Sequence, residues 1–420
     1  MPAGFAMTAS EPSWVGQRLE LAVGPVAHGG HCVARHSGRV VFVRHAIPGE
    51  TVLAEVTEDR GGSFCRADAV RVLDPSPDRV EPPCRYAHPG GCGGCDFQHV
   101  TAGRQRSLKA EVVAEQLSRL AGIEWSGTVE PLAGELLGWR RRIRYAVSRD
   151  GRLGLHKHRS SEIVPIERCL IGAPGVGDTP ALARHWPGLT EVEAAVDDDG
   201  VTALTALRAD RPRGRGRQRP PLRAEPIEGP ELLHYRVAGR EFGTRPAGFW
   251  QTHPAAAETF IRVALAAAEL RPGERALDLY AGAGLFTAAL AGEVGETGRV
   301  LGLEGDPAGA TAAAANLAEL PWAEVRRRPV TPATVAAAAG VLRPAVVLLD
   351  PPRTGSGTGV LAAVLAAEPR TVIYVACDPA ALARDLRVAL DGGWQLTQLT
   401  AYDAYPMTHH VECIAVLRSA

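Results

Sequence analysis

The sequence predicts an α/β protein in which a doubly wound, mainly parallel sheet follows an N-terminal small β-barrel and a central α+β region. Three observations lead there. From about residue 235 strand-like and helix-like segments alternate, residues 14–73 hold short alternating runs broken by Gly and Pro, and residues 74–100 are loop-rich around a cysteine cluster. At 420 residues the chain exceeds one ordinary core. Three domains are expected, over 10–73, 74–234 and 235–420.

Composition narrows the class. A formal net charge of -1 excludes a uniformly basic nucleic-acid coat but leaves local patches, because distribution rather than total charge steers an anionic ligand. There is no run of about 18 apolar residues, and "MPAGFAMTAS" lacks a basic n-region and a compact apolar h-region, so a cytoplasmic protein without membrane contact is expected. Three of the eight cysteines (32, 65, 84, 92, 95, 169, 377 and 413) crowd into the stretch "CRYAHPGGCGGC". Such clustering favours metal or redox chemistry over disulfides.

The barrel is read from "RLELAV", "GRVVFVRHA", "ETVLAEV" and "RADAVRVL", half-buried strands bounded by "HGG", "PGE" and "DRGG". The cysteine cluster follows as Cys84, Cys92 and Cys95, and a closed site needs a fourth ligand. Cys169 in "PIERCL" is the best candidate, because Cys32 and Cys65 fall inside barrel-strand patterns. Four cysteines suit either an iron–sulfur cluster or a tetrahedral zinc. A helix is expected over about 107–120, ending at Gly122. Next, "WRRRIRYAVSRDGRLGLHKHR" (139–159) reads as a basic hairpin turning at "RDG", and the Pro- and Gly-laden basic run 208–226 as an exposed loop.

In the last domain "RALDLY", "RVLGLE", "AVVLLD" and "TVIYVA" are strands followed by helices at 285–292, 307–319, 358–367 and 380–390, with "WQLTQLTAYDA" and "VECIAVLRS" completing the sheet. A ligand crevice is expected at the C-terminal ends of the strands. There "LDLYAGAGLF" forms a turn at Gly282 and Gly284, and Glu304 on the next strand can hold ribose hydroxyls. This pairing suits a nicotinamide dinucleotide or S-adenosylmethionine. The missing third glycine tilts it towards the methyl donor. Asp350 closes a buried strand before two prolines. Cys377 closes the next one, where a helix N-terminus favours the thiolate and Asp378 opposes it. Taken alone, Cys377 reads as a packing residue. Glu412, beside His409 and His410, stands at the start of an apolar strand as a candidate general base, and Cys413 points into the core.

Taken in order, "GRVVFVRHAIPGETVLAEV", "CGGCDFQH", "GFWQTHPAAAE", "LDLYAGAGLF", "LGLEGD", "LLDPPR", "YVACDPAALARD" and "HHVECIAVL" resemble the RNA uracil-5 methyltransferase family across nearly the whole chain. The resemblance implies a TRAM barrel, a Rossmann-like methyltransferase sheet, and an S-adenosylmethionine pocket lined by Gln251, Tyr280, Glu304 and Asp350. It implies Cys377 as nucleophile and Glu412 as base. It also implies a four-iron four-sulfur cluster on Cys84, Cys92, Cys95 and Cys169, with zinc the weaker choice. The product would be 5-methyluridine in ribosomal or transfer RNA, with phosphates held by the barrel, the 139–159 hairpin and the 208–226 loop and with no obligate protein partner. Departures from the family pattern are His253 and Asp378 where asparagine is usual, apolar Ala281 and Leu285, and a longer first cysteine spacing. Two competing readings are a non-catalytic RNA-binding protein with a metal domain and a dinucleotide-dependent oxidoreductase. The second leaves Cys377 and Glu412 without a role.

Overall fold

The structure, a computed structural model, describes residues 13–209 and 222–419. Strands Arg18–Ala22, Val26–Ala27, His31–His36, Arg39–Arg44, Thr51–Asp59 and Phe64–Asp74 form one six-stranded sheet curled around its own core. Alternate residues Leu19, Leu21, Val41, Val43, Val52, Ala54 and Val56 point inward, together with Cys32 and Cys65. The two Arg39 nitrogens grip the Asp59 carboxylate at 3.1 and 2.6 Å and fasten one end.

The central region builds an antiparallel sheet in the order Ile163–Pro165, Leu153–His156, Arg142–Val147, Glu191–Val196, Thr202–Ala209, Leu222–Glu228. The expected basic hairpin is its second and third strands. The 208–226 run differs from the expected loop at both ends, because Arg208 pairs with Arg223 and Ala209 with Leu222 in the last two strands of the sheet. Residues 210–221 of that run lie outside the described residues.

The third sheet has eight strands in the order Ala323–Arg327, Arg299–Glu304, Arg275–Leu279, Val346–Leu349, Thr371–Ala376, Glu412–Ser419, Trp394–Asp403, Val129–Pro131. The first five are parallel, and Glu412–Ser419 runs antiparallel to both neighbours. Near-continuous apolar runs such as "VVLL" and "TVIYVA" fit strands covered by helices on both faces. Packing crosses the boundary expected at 234. The helix Ala102–Ala121, starting at Ala102 rather than Ser107, buries Val113, Leu117 and Ala121 in one core with Leu277, Tyr374 and Leu386, and Val129–Pro131 joins the sheet edge. The strand Ala323–Arg327 and helix Pro332–Leu342 were not expected from the sequence. No helix among the described residues is long and apolar enough to cross a membrane.

Candidate active site

The glycine turn follows strand Arg275–Leu279. Tyr280 is left-handed (φ 65°), a conformation that strains any residue with a Cβ, and Gly282 and Gly284 continue the turn at φ 53° and 85°. The amides of Tyr280 and Ala281 both donate to the Leu303 carbonyl, at 3.0 and 3.1 Å. Glu304 reaches back from the neighbouring strand: Oε2 accepts from Gly282 N at 2.7 Å and Oε1 from Asp306 N at 2.6 Å. Its carboxylate is thereby fixed at the turn, with lone pairs left for hydroxyl donors. Beneath lies Asp278, fully buried, accepting from Thr287 Oγ1 at 2.6 Å. Burial pushes this carboxyl up to about 7, with Asp350 and Glu304 adding to the effect. Asp278 is not among the residues expected from the sequence, although a carboxylate inside the strand "RALDL" is itself a signal. Gln251 is buried beside Trp250, which stacks on Tyr235 at 4.7 Å. His253 is buried and stacked on Trp139, its Nδ1 accepts from Ala255 N at 3.2 Å, and burial lowers it to about 4. It is a neutral side chain serving the turn into helix Ala256–Ala268.

Cys377 follows strand Thr371–Ala376 half-buried, and the antiparallel register that pairs Ala376 with Cys413, continued by one residue, sets Glu412 opposite Cys377. Of the two opposing effects expected here, the helix N-terminus does not dominate. Burial raises the thiol to about 12, Glu412, Asp350 and Asp378 add to the rise, and Arg353 opposes it. Asp378 caps the helix Pro379–Asp391 by accepting from Ala381 N at 2.8 Å. Its other oxygen faces Nε2 of His28, a barrel residue, at 3.0 Å. Burial alone would raise Asp378, but these two contacts hold it below the usual carboxylate range.

Glu412 is 3% exposed. Burial and Asp350 raise its carboxyl well above normal, against Arg353 and a hydrogen bond donated by Tyr405 Oη at 3.2 Å. Tyr405 was not identified from the sequence. Its loop is held from the helix Ala102–Ala121, where Lys109 Nζ donates to Asp403 Oδ1 at 2.5 Å and to the Tyr405 carbonyl at 3.0 Å. His409 Nδ1 meets Asp96 Oδ2 at 2.6 Å, and Asp96 N and Phe97 N donate to the Met407 carbonyl at 2.9 and 3.0 Å. The loop before Glu412 therefore rests on the loop that carries Cys92 and Cys95.

Cys84, Cys92, Cys95 and Cys169 line one cavity of about 350 Å³ with Arg140, Arg144, Lys157 and Arg168 at its wall. Gly94 N donates to Cys92 Sγ at 3.4 Å and Gln98 Nε2 to Cys95 Sγ at 3.3 Å. Among the described residues no three His, Cys, Asp or Glu side chains gather closely enough to hold one metal ion.

Comparison with known proteins agrees with this architecture. The TRAM domain family matches residues 12–70, and the tRNA (Uracil-5-)-methyltransferase family matches residues 342–420. An uncharacterized RNA methyltransferase of Streptomyces avermitilis is 44% identical, over 97% of this chain and 99% of its own. A 23S rRNA (uracil(1939)-C(5))-methyltransferase of Alkalilimnicola ehrlichii is 33% identical, over 95% of this chain and 96% of its own. The Pyrococcus abyssi tRNA (uracil-54, C5)-methyltransferase, solved with S-adenosyl-L-homocysteine, has the same fold (TM-score 0.68, 20% identity, 95% of this chain and 100% of that one). Fold, crevice and relatives define an S-adenosylmethionine-dependent RNA methyltransferase with a TRAM barrel. The chain belongs to the RNA (uracil-5-)-methyltransferase family, and methylation of uracil carbon 5 in RNA is its activity.

Proposed function

We propose that the protein makes 5-methyluridine in structured RNA through a covalent Cys377–uracil adduct, with Glu412 as base. The placement of Glu412 and Cys377 one residue beyond the Ala376–Cys413 pair, with Arg353 in electrostatic reach of both, carries this reading. S-adenosylmethionine, when bound, supplies an electrophilic methyl group and a positive charge. Gln251, Tyr280, Glu304 and Asp350 are the residues assigned to hold it. Cys377 loses its proton to solvent, and the thiolate adds to uracil carbon 6, which turns the unreactive carbon 5 into an enolate carbon. The carbon-5 electron pair takes the methyl group. Glu412 then removes the carbon-5 proton, the bond from Sγ to carbon 6 breaks, and Cys377 leaves as the thiolate. Both anions are costly in the buried crevice, and positive charge at Arg353 and on the methyl donor favours them.

Carbon 5 is out of reach in a stacked helix, so the uridine must lie in a loop or be flipped out. The full-length likeness to an enzyme named for 23S rRNA supports ribosomal over transfer RNA. Incubating purified protein with donor and either RNA, followed by nucleoside mass spectrometry, tests this. The expected result is 5-methyluridine that disappears in Cys377→Ala. Absence of methyl gain on uridine in every RNA would overturn it.

The assignment of an iron–sulfur cluster, with zinc the weaker choice, rests on the family resemblance and on four cysteines that line one cavity. N–H donors aimed at Cys92 and Cys95 suit cluster thiolates. Cys84, Cys92, Cys95 and Cys169 would be the ligands, and the group would tie the 84–95 loop to the central sheet.

A further inference from the structure

The loop 350–357 brings Asp350 and Arg353 to the crevice, and a carboxylate outside the crevice holds it there. Asp385 lies on helix Pro379–Asp391, roughly two turns beyond Cys377, and is 4% exposed. Its Oδ2 accepts from Tyr374 Oη at 2.6 Å, from Ser356 N and Ser356 Oγ at 2.9 Å each, and from Gly357 N at 3.3 Å. Tyr374 Oη also accepts from Ser356 N at 2.9 Å. Gly355 is left-handed (φ 85°), and a Cβ there would stand 2.8 Å from Asp385 Oδ2, so the backbone closes onto the carboxylate only because this residue has no side chain. One oxygen thus joins three segments. They are the loop, the strand that ends just before Cys377, and the helix that starts after it.

The loop leaves strand Val346–Leu349 at Asp350 and is fastened again at Ser356, so Arg353 is held between two fixed points. Cys377 faces Glu412, Asp350 and Asp378, with Tyr405 and Cys413 also within electrostatic range. The anionic forms of all of these disfavour its thiolate, whereas Arg353 favours it. We propose that Asp385 is a positioning residue which, through Ser356, Gly357 and Tyr374, sets Arg353 against Cys377 and Glu412. The proposal deepens the assignment of Cys377 and Glu412 and rests on it. Asp385 itself touches no reacting atom in this account.

The test reads Cys377 directly. The rate of alkylation of Cys377 by iodoacetamide is measured by peptide mass spectrometry in the RNA-free protein as a function of pH, for wild type, Asp385→Ala, Asp385→Asn, Tyr374→Phe and Arg353→Ala. Asp385→Ala should move the profile up by about one pH unit, about tenfold slower at fixed pH, in the same direction as Arg353→Ala. Asp385→Asn, which keeps one acceptor oxygen, should recover part of the rate, and Tyr374→Phe should give a smaller shift. In steady state kcat should fall while KM for RNA stays unchanged. A lowered melting temperature with the alkylation profile still on that of wild type would overturn the proposal. Should Asp385→Ala not fold, unchanged profiles in both Asp385→Asn and Tyr374→Phe would do the same. Failure of wild type to form an RNA adduct would remove the catalytic role of Cys377 and leave the alkylation shifts in place, so the two failures are distinguishable.

Discussion

Replacing Asp278 with asparagine removes a carboxyl that the fold raises from 3.8 to about 7, chiefly by burial. The sign follows from proton linkage. The folded state binds this proton more tightly than the unfolded state, so the contribution is fully present below about pH 3.8 and is lost as pH rises to about 7. Three pH units correspond to about 4 kcal/mol, of which about 3 kcal/mol falls between about pH 5 and about pH 8.5. Asparagine keeps the acceptor for Thr287 Oγ1 and has no proton to lose. Urea unfolding without methyl donor, for wild type and Asp278→Asn at those two pH values, is the assay. The variant should gain about 3 kcal/mol relative to wild type at the higher pH. Parallel profiles, agreeing within about 0.5 kcal/mol, would refute a buried, proton-holding Asp278 beneath the donor crevice.

Three further outcomes are expected. Tyr405→Phe removes the hydrogen bond to Glu412, a contact worth about 1.5 kcal/mol, so kcat should fall about tenfold with KM for RNA unchanged; an unchanged kcat would detach Tyr405 from the base. Asp378→Asn keeps the helix cap, since asparagine caps as well as aspartate, and exchanges the ion-pairing oxygen at His28 for an amide; methylation at neutral pH should stay within about twofold or rise, and a tenfold loss would give the carboxylate a role of its own. Because Asp278 and Asp350 are raised by burial, binding of the cationic donor should release protons and tighten from about pH 6 to about pH 8. Calorimetry in buffers of different ionisation enthalpy checks this, and pH-independent binding without proton release would contradict it.

The parallel sheet was legible because its central strands are continuous β-branched or leucine runs between helices. Its edges were not. "AEVRR" is short and charged, "PATVAAAAGVL" has alanine where an apolar stripe would stand out, and "VEP" pairs with Ala401, Tyr402 and Asp403 at a separation that no local pattern reports. At the site, the glycine turn and Glu304 could be read from spacing, because one turn and one strand end build them. Cys377 and Glu412 were linked only through the order of motifs; the register that sets them opposite each other is a tertiary fact. His28 and Asp378 are 350 residues apart, so their contact had no sequence signal. The balance between the helix terminus and Asp378 at Cys377 had no answer in the sequence, because burial, Glu412 and Asp350, which tip it against the thiolate, come from tertiary packing.

RNA carrying 5-fluorouridine tests the covalent step at Cys377 most directly. Glu412 cannot remove fluorine as a proton, so the bond from Cys377 Sγ to carbon 6 should persist once carbon 5 is methylated. The expected result is a donor-dependent, denaturant-resistant protein–RNA adduct that maps to Cys377 and is absent in Cys377→Ala. Ordinary RNA methylated by the same preparation while the fluorinated RNA yields no adduct, or an adduct that maps elsewhere, would contradict it.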